Sequence, residues 1–517
     1  MKMRKTLLIV LTFFSCFVVS AQKRNIKGVV LDAEYKTPVP FAAVFVESSR
    51  YGTVANNLGE FSFSAPDSLS RSNLIVSAQD FQLMRLPLEL LSAPRIELLL
   101  VRDVDRTYSG VLHKSVAYVL KDWLPLGNES TNKFDFGRLQ TIPTYNPIEG
   151  LRLRGGVASN SRLSPHFFVK GYGAYGFRDE KFKYRGEAIY SFKRKVYHDE
   201  EFPRNNLRLI YENDLYSPGE MHPRRQNDLL LVAFRRSKNE STYRKFAEIN
   251  YEKDYANGLG HVFWFRKSQL TPQGSLSFAP VTNDAALKVN EPIDNSEMGV
   301  SLRFVGREAY LQQKREKQLL NYDMPLIILS HSMGLKGVAG GDYNYHKTEL
   351  VLQKRFILRD LAHLDLSGEF SKIWNSVPFP LLLYPNQRIR NNIESPSFYL
   401  GRSLEFAADE QYALRATFVG DDLLFAKVPL LNMVQVKELL SFRASYGKLS
   451  DKNIPTIQNG LPIFPEVTHD YNGIPYIEGS IGITGLLGLL RVEYVHRLTH
   501  RDVHNAMKGA IRIDISI

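Results

Sequence analysis

One cysteine stands among 517 residues, and it is Cys16, inside the apolar stretch near the start of the chain. Once that stretch is removed, no disulfide framework, cysteine-ligated zinc, iron–sulfur cluster or cysteine nucleophile is available. Beyond residue 22 no apolar run reaches about 18 residues, so the sequence offers no further membrane-crossing helix. The patterns G-x-S-x-G, H-E-x-x-H and the P-loop are missing as well, which removes the usual hydrolase, zincin and nucleotide-binding signatures. Nucleic-acid motifs are equally lacking.

What is present begins with a positive head, Lys2, Arg4 and Lys5, then an uncharged apolar run over 7–19, then small residues at Val19-Ser20-Ala21. This three-part pattern predicts a secretory signal peptide over 1–21. A retained anchor helix and a lipoprotein processed at Cys16 are the alternatives, although Phe13 occupies the place where a lipoprotein wants a small aliphatic residue. The whole chain has 66 Lys+Arg against 54 Asp+Glu; without Lys2, Arg4 and Lys5 it has 63 against 54, a net of +9. Such a surplus is either a solvated basic surface or an attraction to anionic lipid and lipopolysaccharide phosphate. Export disfavours nucleic acid as a partner. With 44% hydrophobic and 23% charged residues the chain is not disordered.

From residue 151 onward the hydrophobic pattern has a period of two. Phe182, Tyr184, Gly186, Ala188, Tyr190 and Phe192 share one strand face, and Lys183, Arg185, Glu187, Ile189, Ser191 and Lys193 share the other. Aromatics at both ends of an apolar face, opposite a polar face, are the profile of a transmembrane strand. Leu364, Leu366, Gly368 and Phe370 against Asp365, Ser367, Glu369 and Ser371 repeat it. So do Leu490, Val492 and Tyr494 against Arg491, Glu493 and Arg497, and Ile511, Ile513 and Ile515 against Ala510, Arg512 and Asp514. In hydrocarbon every backbone polar group must be paired, so strands cross a bilayer only as a closed barrel. The pattern yields fifteen candidate strands, near 151–158, 167–177, 182–193, 206–213, 228–236, 246–253, 260–268, 299–306, 348–356, 363–371, 411–419, 438–446, 475–483, 489–497 and 507–517. Because single-chain bacterial barrels have even numbers of strands, it predicts an all-β transmembrane antiparallel barrel of roughly 14 strands, within a range of about 12–16. Two long connections carry apolar segments, 378–384 and 423–434, readable as lumen plugs, surface helices or the apolar core of a loop.

Residues 26–101 read differently, as short β runs over 26–31, 40–46, 52–54, 60–63, 73–78 and 95–101, with turn chemistry at Asn56-Asn57-Leu58-Gly59. Residues 109–124 have helical period up to Pro125. The expected layout is therefore a signal over 1–21, a β-sandwich over 24–101, a linker with a short helix over 102–146 and a barrel over 147–517.

Ile26-Lys27-Gly28-Val29-Val30-Leu31-Asp32, Pro40-Phe41-Ala42-Ala43-Val44 and Gly52-Thr53-Val54-Ala55-Asn56-Asn57-Leu58-Gly59-Glu60-Phe61 resemble a carboxypeptidase-D regulatory-like domain. That resemblance implies a transthyretin-like sandwich that binds or spaces and carries no peptidase zinc. Tyr145-Asn146-Pro147-Ile148-Glu149-Gly150, Tyr175-Gly176-Phe177-Arg178-Asp179, Phe425-Ala426-Lys427-Val428-Pro429 and Tyr446-Gly447-Lys448-Leu449-Ser450 are similar to Bacteroidota outer-membrane proteins that pair this module with a barrel domain of unknown function. The resemblance implies the outer membrane, with the front module in the periplasm, and no transferable reaction or cofactor.

The expected role is a non-enzymatic conduit or scaffold touching membrane lipid or lipopolysaccharide. The alternatives are a component of envelope assembly or uptake with a protein partner in the periplasm or outer membrane, and a hydrolase built across barrel strands. A TonB-dependent transporter would need a folded plug and roughly 22 strands, more than this chain supplies. His198 with Glu201, His346 with Glu349, and the series His496, His500 and His504 have spacings seen in metal sites, but twelve histidines make chance pairings common. No catalytic, cofactor or metal residue is therefore assigned.

Overall fold

A computed structural model describes residues 23–101, 123–218, 239–282, 291–385 and 398–515, leaving out short stretches within them. The chain divides into a front unit and a larger unit.

The front unit has seven strands: β1 (Lys23–Asp32), β2 (Ala43–Val46), β3 (Gly52–Val54), β4 (Glu60–Pro66), β5 (Asn73–Ser77), β6 (Met84–Pro87) and β7 (Ile96–Leu100). They form two sheets, ordered β4-β1-β7 and β3-β2-β5-β6. The core is drawn from both sheets: Ile26, Val30, Phe61 and Leu98 from the first, Val44, Val46, Leu74 and Val76 from the second. Two sheets closing on their alternating apolar faces make a small sandwich. At the expected turn, the Asn56 side-chain oxygen accepts hydrogen bonds from the Leu58 and Glu60 N–H groups, both at 2.9 Å. Gly59 beside it has φ 71°, and a Cβ there would lie 2.5 Å from the Val30 carbonyl oxygen, so the turn needs glycine. Only β6 was not anticipated by the sequence pattern.

The larger unit begins with β8 (Leu124–Pro125), β9 (Phe134–Phe136), β10 (Pro143–Asn146), β11 (Gly150–Ser159), β12 (Phe167–Gly176), β13 (Lys181–Ser191), β14 (Asn205–Tyr216), β15 (Glu240–Asp254), β16 (Leu259–Gly274) and β17 (Ile293–Val305). A separate short pair, β18 (Tyr310–Gln312) and β19 (Lys317–Leu319), follows in the chain and, apart from Lys317, belongs to the front unit. Then come β20 (Leu326–Gly334), β21 (Tyr345–Leu358), β22 (Ala362–Ile373), β23 (Glu410–Gly420), β24 (Lys437–Lys448), β25 (Tyr476–Leu486), β26 (Leu490–Arg497) and β27 (Gly509–Ile515). One 18-stranded sheet runs β10 to β17, then β20 to β27, then β8 and β9, and β9 also pairs with β11. Neighbours from β10 through β27 are antiparallel and consecutive, in the manner of a meander.

The expected count of roughly 14 compares with 18 strands in the sheet among the described residues. Fourteen candidates are present, and the one at 228–236 lies outside the described residues. The additional strands are β8, β9, β10 and β20. The first three are two to four residues long, too short for a period to show. β20 opens with Leu326-Ile327-Ile328-Leu329, apolar on both faces, which hides its alternation. Most of the predicted linker helix over 109–124 also lies outside the described residues; Leu124 itself begins β8.

The two faces of this sheet are inverted relative to a water-soluble sheet. One face holds buried charge: Lys183, Arg443, Arg497, Glu478 and Glu493 are at most 1% exposed. The other holds exposed apolar side chains, among them Phe182 at 60%, Ile481 at 63% and Ile511 at 71%. A separate apolar cluster forms where Phe379, Leu383, Tyr384, Leu404 and Phe406 pack against Leu270, Ile293, Tyr345, Ile373 and Tyr476 from the strands. The segment 378–384 is thus the apolar core of a folded connection, with a single 3-10 turn at Phe379–Leu381. In 423–434 the described part holds a 3-10 turn at Phe425–Lys427, and the Leu424 N–H donates to Glu438 Oε1.

Candidate functional site

Among the described residues of the larger unit, chemistry-bearing side chains are concentrated on the polar face of the sheet. Period-two alternation directs every second residue there, and register brings those of neighbouring strands within about 5 Å at Cβ. Across β11–β16 this sets cations against carboxylates. The Arg152 guanidinium forks onto Asp214 at 2.7 and 2.8 Å, and the Tyr172 hydroxyl donates to the same carboxylate. Lys183 Nζ lies 2.5 Å from Asp179 and 2.9 Å from Glu149. Arg185 pairs with Glu187 at 2.8 Å and with Glu212, and Arg244 reaches Glu212 at 2.5 Å. Arg208 spans Glu187, Glu200 and Glu252 at 2.9, 2.7 and 3.1 Å. Glu200 lies in the connection between β13 and β14. Burial alone would push its carboxyl up, but Arg208, Lys170 and Arg204 hold it well below the ordinary carboxylate range. Charge in this region is close to balanced by direct pairing.

The wall formed by β23–β27 is built differently. Arg415, Arg443, Glu478 and Arg497 are successive register partners across four strands. The segment from Phe398 to Asp409 lies on this wall. The Tyr399 and Leu400 N–H groups donate to Glu478 Oε2 and Oε1 at 2.9 and 2.7 Å, and the Tyr476 hydroxyl donates to the same carboxylate at 2.6 Å. Arg497 donates to Glu405 at 2.7 Å, with both side chains at most 1% exposed, and its guanidinium stands 4.7 Å from the Tyr476 ring centre. The His469 N–H to Glu405 O bond at 2.7 Å adds to the attachment, and the Leu383–Ala408 bridge ties the segment to the earlier part of the same connection. Next to it, three guanidiniums converge on one carboxylate: Arg512, Arg491 and Arg443 lie 2.9, 3.2 and 3.7 Å from Glu493. Such an arrangement can bind and orient anions.

The histidines singled out by spacing do not assemble. The Glu201 carboxylate accepts the N–H groups of Val196, Tyr197 and His198, and His198 Nδ1 accepts from the Glu200 N–H, so this pair closes a loop. His346 and Glu349 point to opposite faces of β21: Glu349 pairs with Lys347 at 2.7 Å, while His346 lies 3.4 Å from His331 on the apolar face. His496 is beside Tyr494 on the apolar face of β26, His500 contacts the Ile474 carbonyl oxygen at 2.8 Å, and His504 is exposed. Among the described residues no three His, Cys, Asp or Glu side chains are grouped to hold a metal. The sequence placed Arg491, Glu493, Arg497 and Arg512 on the polar face but gave no sign that Arg491 and Arg512 share Glu493 with Arg443, or that Arg497 pairs with Glu405. That follows from register between strands far apart in the chain.

Comparison with known proteins gives two family matches. Residues 126–452 match the C-terminal domain of a family of unknown function, DUF5686, and residues 26–102 match the CarboxypepD_reg-like domain. No curated protein matches the chain. Among solved structures it is similar to BamA from Haemophilus ducreyi lacking POTRA domains 1–3, at 9% identity and a TM-score of 0.45, over 82% of this chain and 73% of that one. It is also similar to CdiB from Acinetobacter baumannii, at 12% identity and a TM-score of 0.38, over 72% of this chain and 58% of that one.

Proposed function

We propose, from the premise that this chain belongs to the DUF5686 family of unknown function, that its 18-stranded sheet is a closed β-barrel in an outer membrane, with the front sandwich in the periplasm. The single observation that carries this reading is the inversion of the two faces. Burying Arg443, Lys183 and Glu493 while exposing Phe182, Ile481 and Ile511 is unfavourable in water, where exposed apolar area is penalised at about 25 cal/mol per Å². Lipid outside and a paired, partly hydrated lumen inside reverse that balance. Strand length supports it: β11 to β17 run from 10 to 16 residues, against the roughly 9–11 needed to cross hydrocarbon at a tilt. Pairing supports it too. The neighbour relations run from β11 through β27 to β8 and β9, and Val157, Ala158 and Ser159 of β11 face Phe136, Asp135 and Phe134 of β9. A circuit of this kind leaves no free sheet edge over that stretch.

Within such a barrel the parts of this connection at 378–385 and 398–409 fill one end of the lumen, held by the apolar cluster and by the Arg497–Glu405 pair. The role that fits is a capped conduit or scaffold in contact with membrane lipid or lipopolysaccharide, its sandwich serving as a docking module for a partner in the envelope. Planar-bilayer recording tests it. The intact protein is expected to insert and conduct little, and weakening the Arg497–Glu405 pair is expected to raise conductance. Failure to partition into detergent or bilayer would end this reading.

A further inference from the structure

Arg443 presents an unusual electrostatic situation. Its side chain is fully buried in the middle of β24. Directly opposite it in register on β23 is another arginine, Arg415, and like charges facing each other across a strand pair repel. On its other side it faces Glu478, but that carboxylate is engaged by the Tyr399 and Leu400 N–H groups and the Tyr476 hydroxyl. What Arg443 has is a 3.3 Å hydrogen bond to Ser480 Oγ and a 3.7 Å approach to Glu493, which Arg491 and Arg512 already share. Its Nε and Nη2 atoms, and Nε of Arg491, are buried without a hydrogen-bond partner. Arg415 donates to Thr417 Oγ1 at 3.2 Å. Tyr399 closes the group from the docked segment, with Arg443 and Arg512 lying 4.0 and 3.9 Å from its ring centre and its buried hydroxyl unpartnered. Although burial pushes the Tyr399 phenol up, Arg443, Arg512 and Arg415 outweigh Glu493 and bring it below its ordinary value, the sign of a local positive field.

Buried guanidiniums are normally satisfied by carboxylates, and across β11–β16 of this sheet they are. Here Arg443, Arg491 and Arg512 converge on one shared carboxylate, Glu493, while Arg415 faces Arg443 from β23; Asp514 faces Arg491 in backbone register. We propose that Arg415, Arg443, Arg491 and Arg512, closed over by Tyr399, form a binding site for a phosphate-type oxyanion. Planar guanidinium forks match the oxygens of a tetrahedral phosphate, and the free Nε and Nη2 donors of Arg443, the Nε of Arg491 and the Tyr399 hydroxyl supply hydrogen bonds that the protein leaves unused. The ligand is either free phosphate or the phosphate ester of a lipid headgroup; both present the same oxygens. This inference depends on the wall of the sheet and not on whether the sheet spans a membrane.

The test uses the full-length protein in a phosphate-free, uncharged detergent. Inorganic phosphate is titrated against chloride at matched ionic strength, with the thermal midpoint as readout, and a parallel arm uses mixed micelles containing phosphatidylglycerol. Expected is a saturable, phosphate-specific rise in the midpoint, weakened about tenfold in affinity by Arg491→Gln, as for loss of one charge-assisted hydrogen bond. Glu493→Gln, which removes the competing carboxylate, is expected to lower the midpoint without phosphate and to bind phosphate more tightly. A response to inorganic phosphate identifies a soluble ligand, and a response confined to phosphatidylglycerol identifies a lipid headgroup. If Arg491→Gln does not fold, Glu493→Gln decides alone. Equal response to chloride and both phosphate probes in the wild type, or a Glu493→Gln variant that phosphate does not rescue, overturns the proposal.

Discussion

Replacing Glu405 with glutamine should release the segment that lies on β24–β26. In the wild type Glu405 accepts from Arg497 at 2.7 Å, and both side chains are at most 1% exposed. Removing one member of a buried pair leaves the other charge uncompensated, which is destabilising by about 3–5 kcal/mol. Arg497 would keep its hydrogen bond to the Thr499 carbonyl oxygen at 3.2 Å and its place 4.7 Å from the Tyr476 ring, so the lower end applies, about 3 kcal/mol. At roughly 1.4 kcal/mol per factor of ten, the undocked population should rise by about two orders of magnitude. Arg402, three residues before Glu405, provides the readout. Trypsin cleavage after Arg402 in the detergent-solubilised protein tracks the open population when closing outpaces cleavage. The cleavage rate, read from the fragment masses, should rise by about the same factor in Glu405→Gln. Because Arg497→Met also removes the orphaned charge, the double variant should be cut more slowly than the glutamine variant alone. Unchanged cleavage at Arg402, or a double variant cut faster than either single one, would mean that the Arg497–Glu405 pair does not hold the segment down.

Three other outcomes are expected. Ile481, central in β25 and 63% exposed, should tolerate lysine within about 0.5 kcal/mol if it faces water, but the change should be destabilising by about 2–4 kcal/mol in vesicles if it faces lipid; urea unfolding in both settings separates the two. Val157→Cys with Phe136→Cys, introduced with Cys16→Ser, should form an intramolecular disulfide, because register partners in an antiparallel pair bring Cα atoms within disulfide range; a fully reduced thiol count after mild oxidation would argue that β9 does not lie beside β11. Glu200 has a folded-state pKa below its unfolded value of about 4.3, so the stability it contributes is complete above that value and is lost as pH falls through the folded one; Glu200→Gln should flatten stability against pH on the acid side and leave the profile near neutrality unaltered in slope.

How much could be read in the residues alone depended on where local pattern decides structure. β13 was legible because its aromatics and charges alternate over all of Lys181–Ser191 and its turn from β12 is tight. β20 was hidden because Leu326 to Leu329 are apolar whichever way they face, and His331 sits on the apolar side where a polar residue was expected to turn inward. Prolines at 125 and 143 and the brevity of β8 to β10 argued against strands that tertiary pairing supports. The segment 378–384 could be read three ways, because an apolar stretch of that length has no period to separate a helix from a packed loop; its partners Leu270, Tyr345 and Tyr476 lie far away in the chain. Arginine clustering was out of reach for the same reason. Arg415, Arg443, Arg491 and Arg512 each look like ordinary polar-face residues of separate strands, and only register assembles them.

Spin-label accessibility on the β24–β25 pair and on β20 distinguishes lipid from water at the exposed face. Single cysteines at Leu440, Ile481 and Leu329 on the exposed face, and at Ser441, Ser480 and Ser330 on the polar face, can be labelled in a Cys16→Ser background and the protein reconstituted in phospholipid vesicles. The first three are expected to be relaxed by oxygen dissolved in the bilayer and shielded from a water-soluble nickel complex, with the alternation persisting along each strand. Equal or greater nickel accessibility at Leu440 and Ile481 would mean that water bathes the apolar face, and the membrane reading would be contradicted.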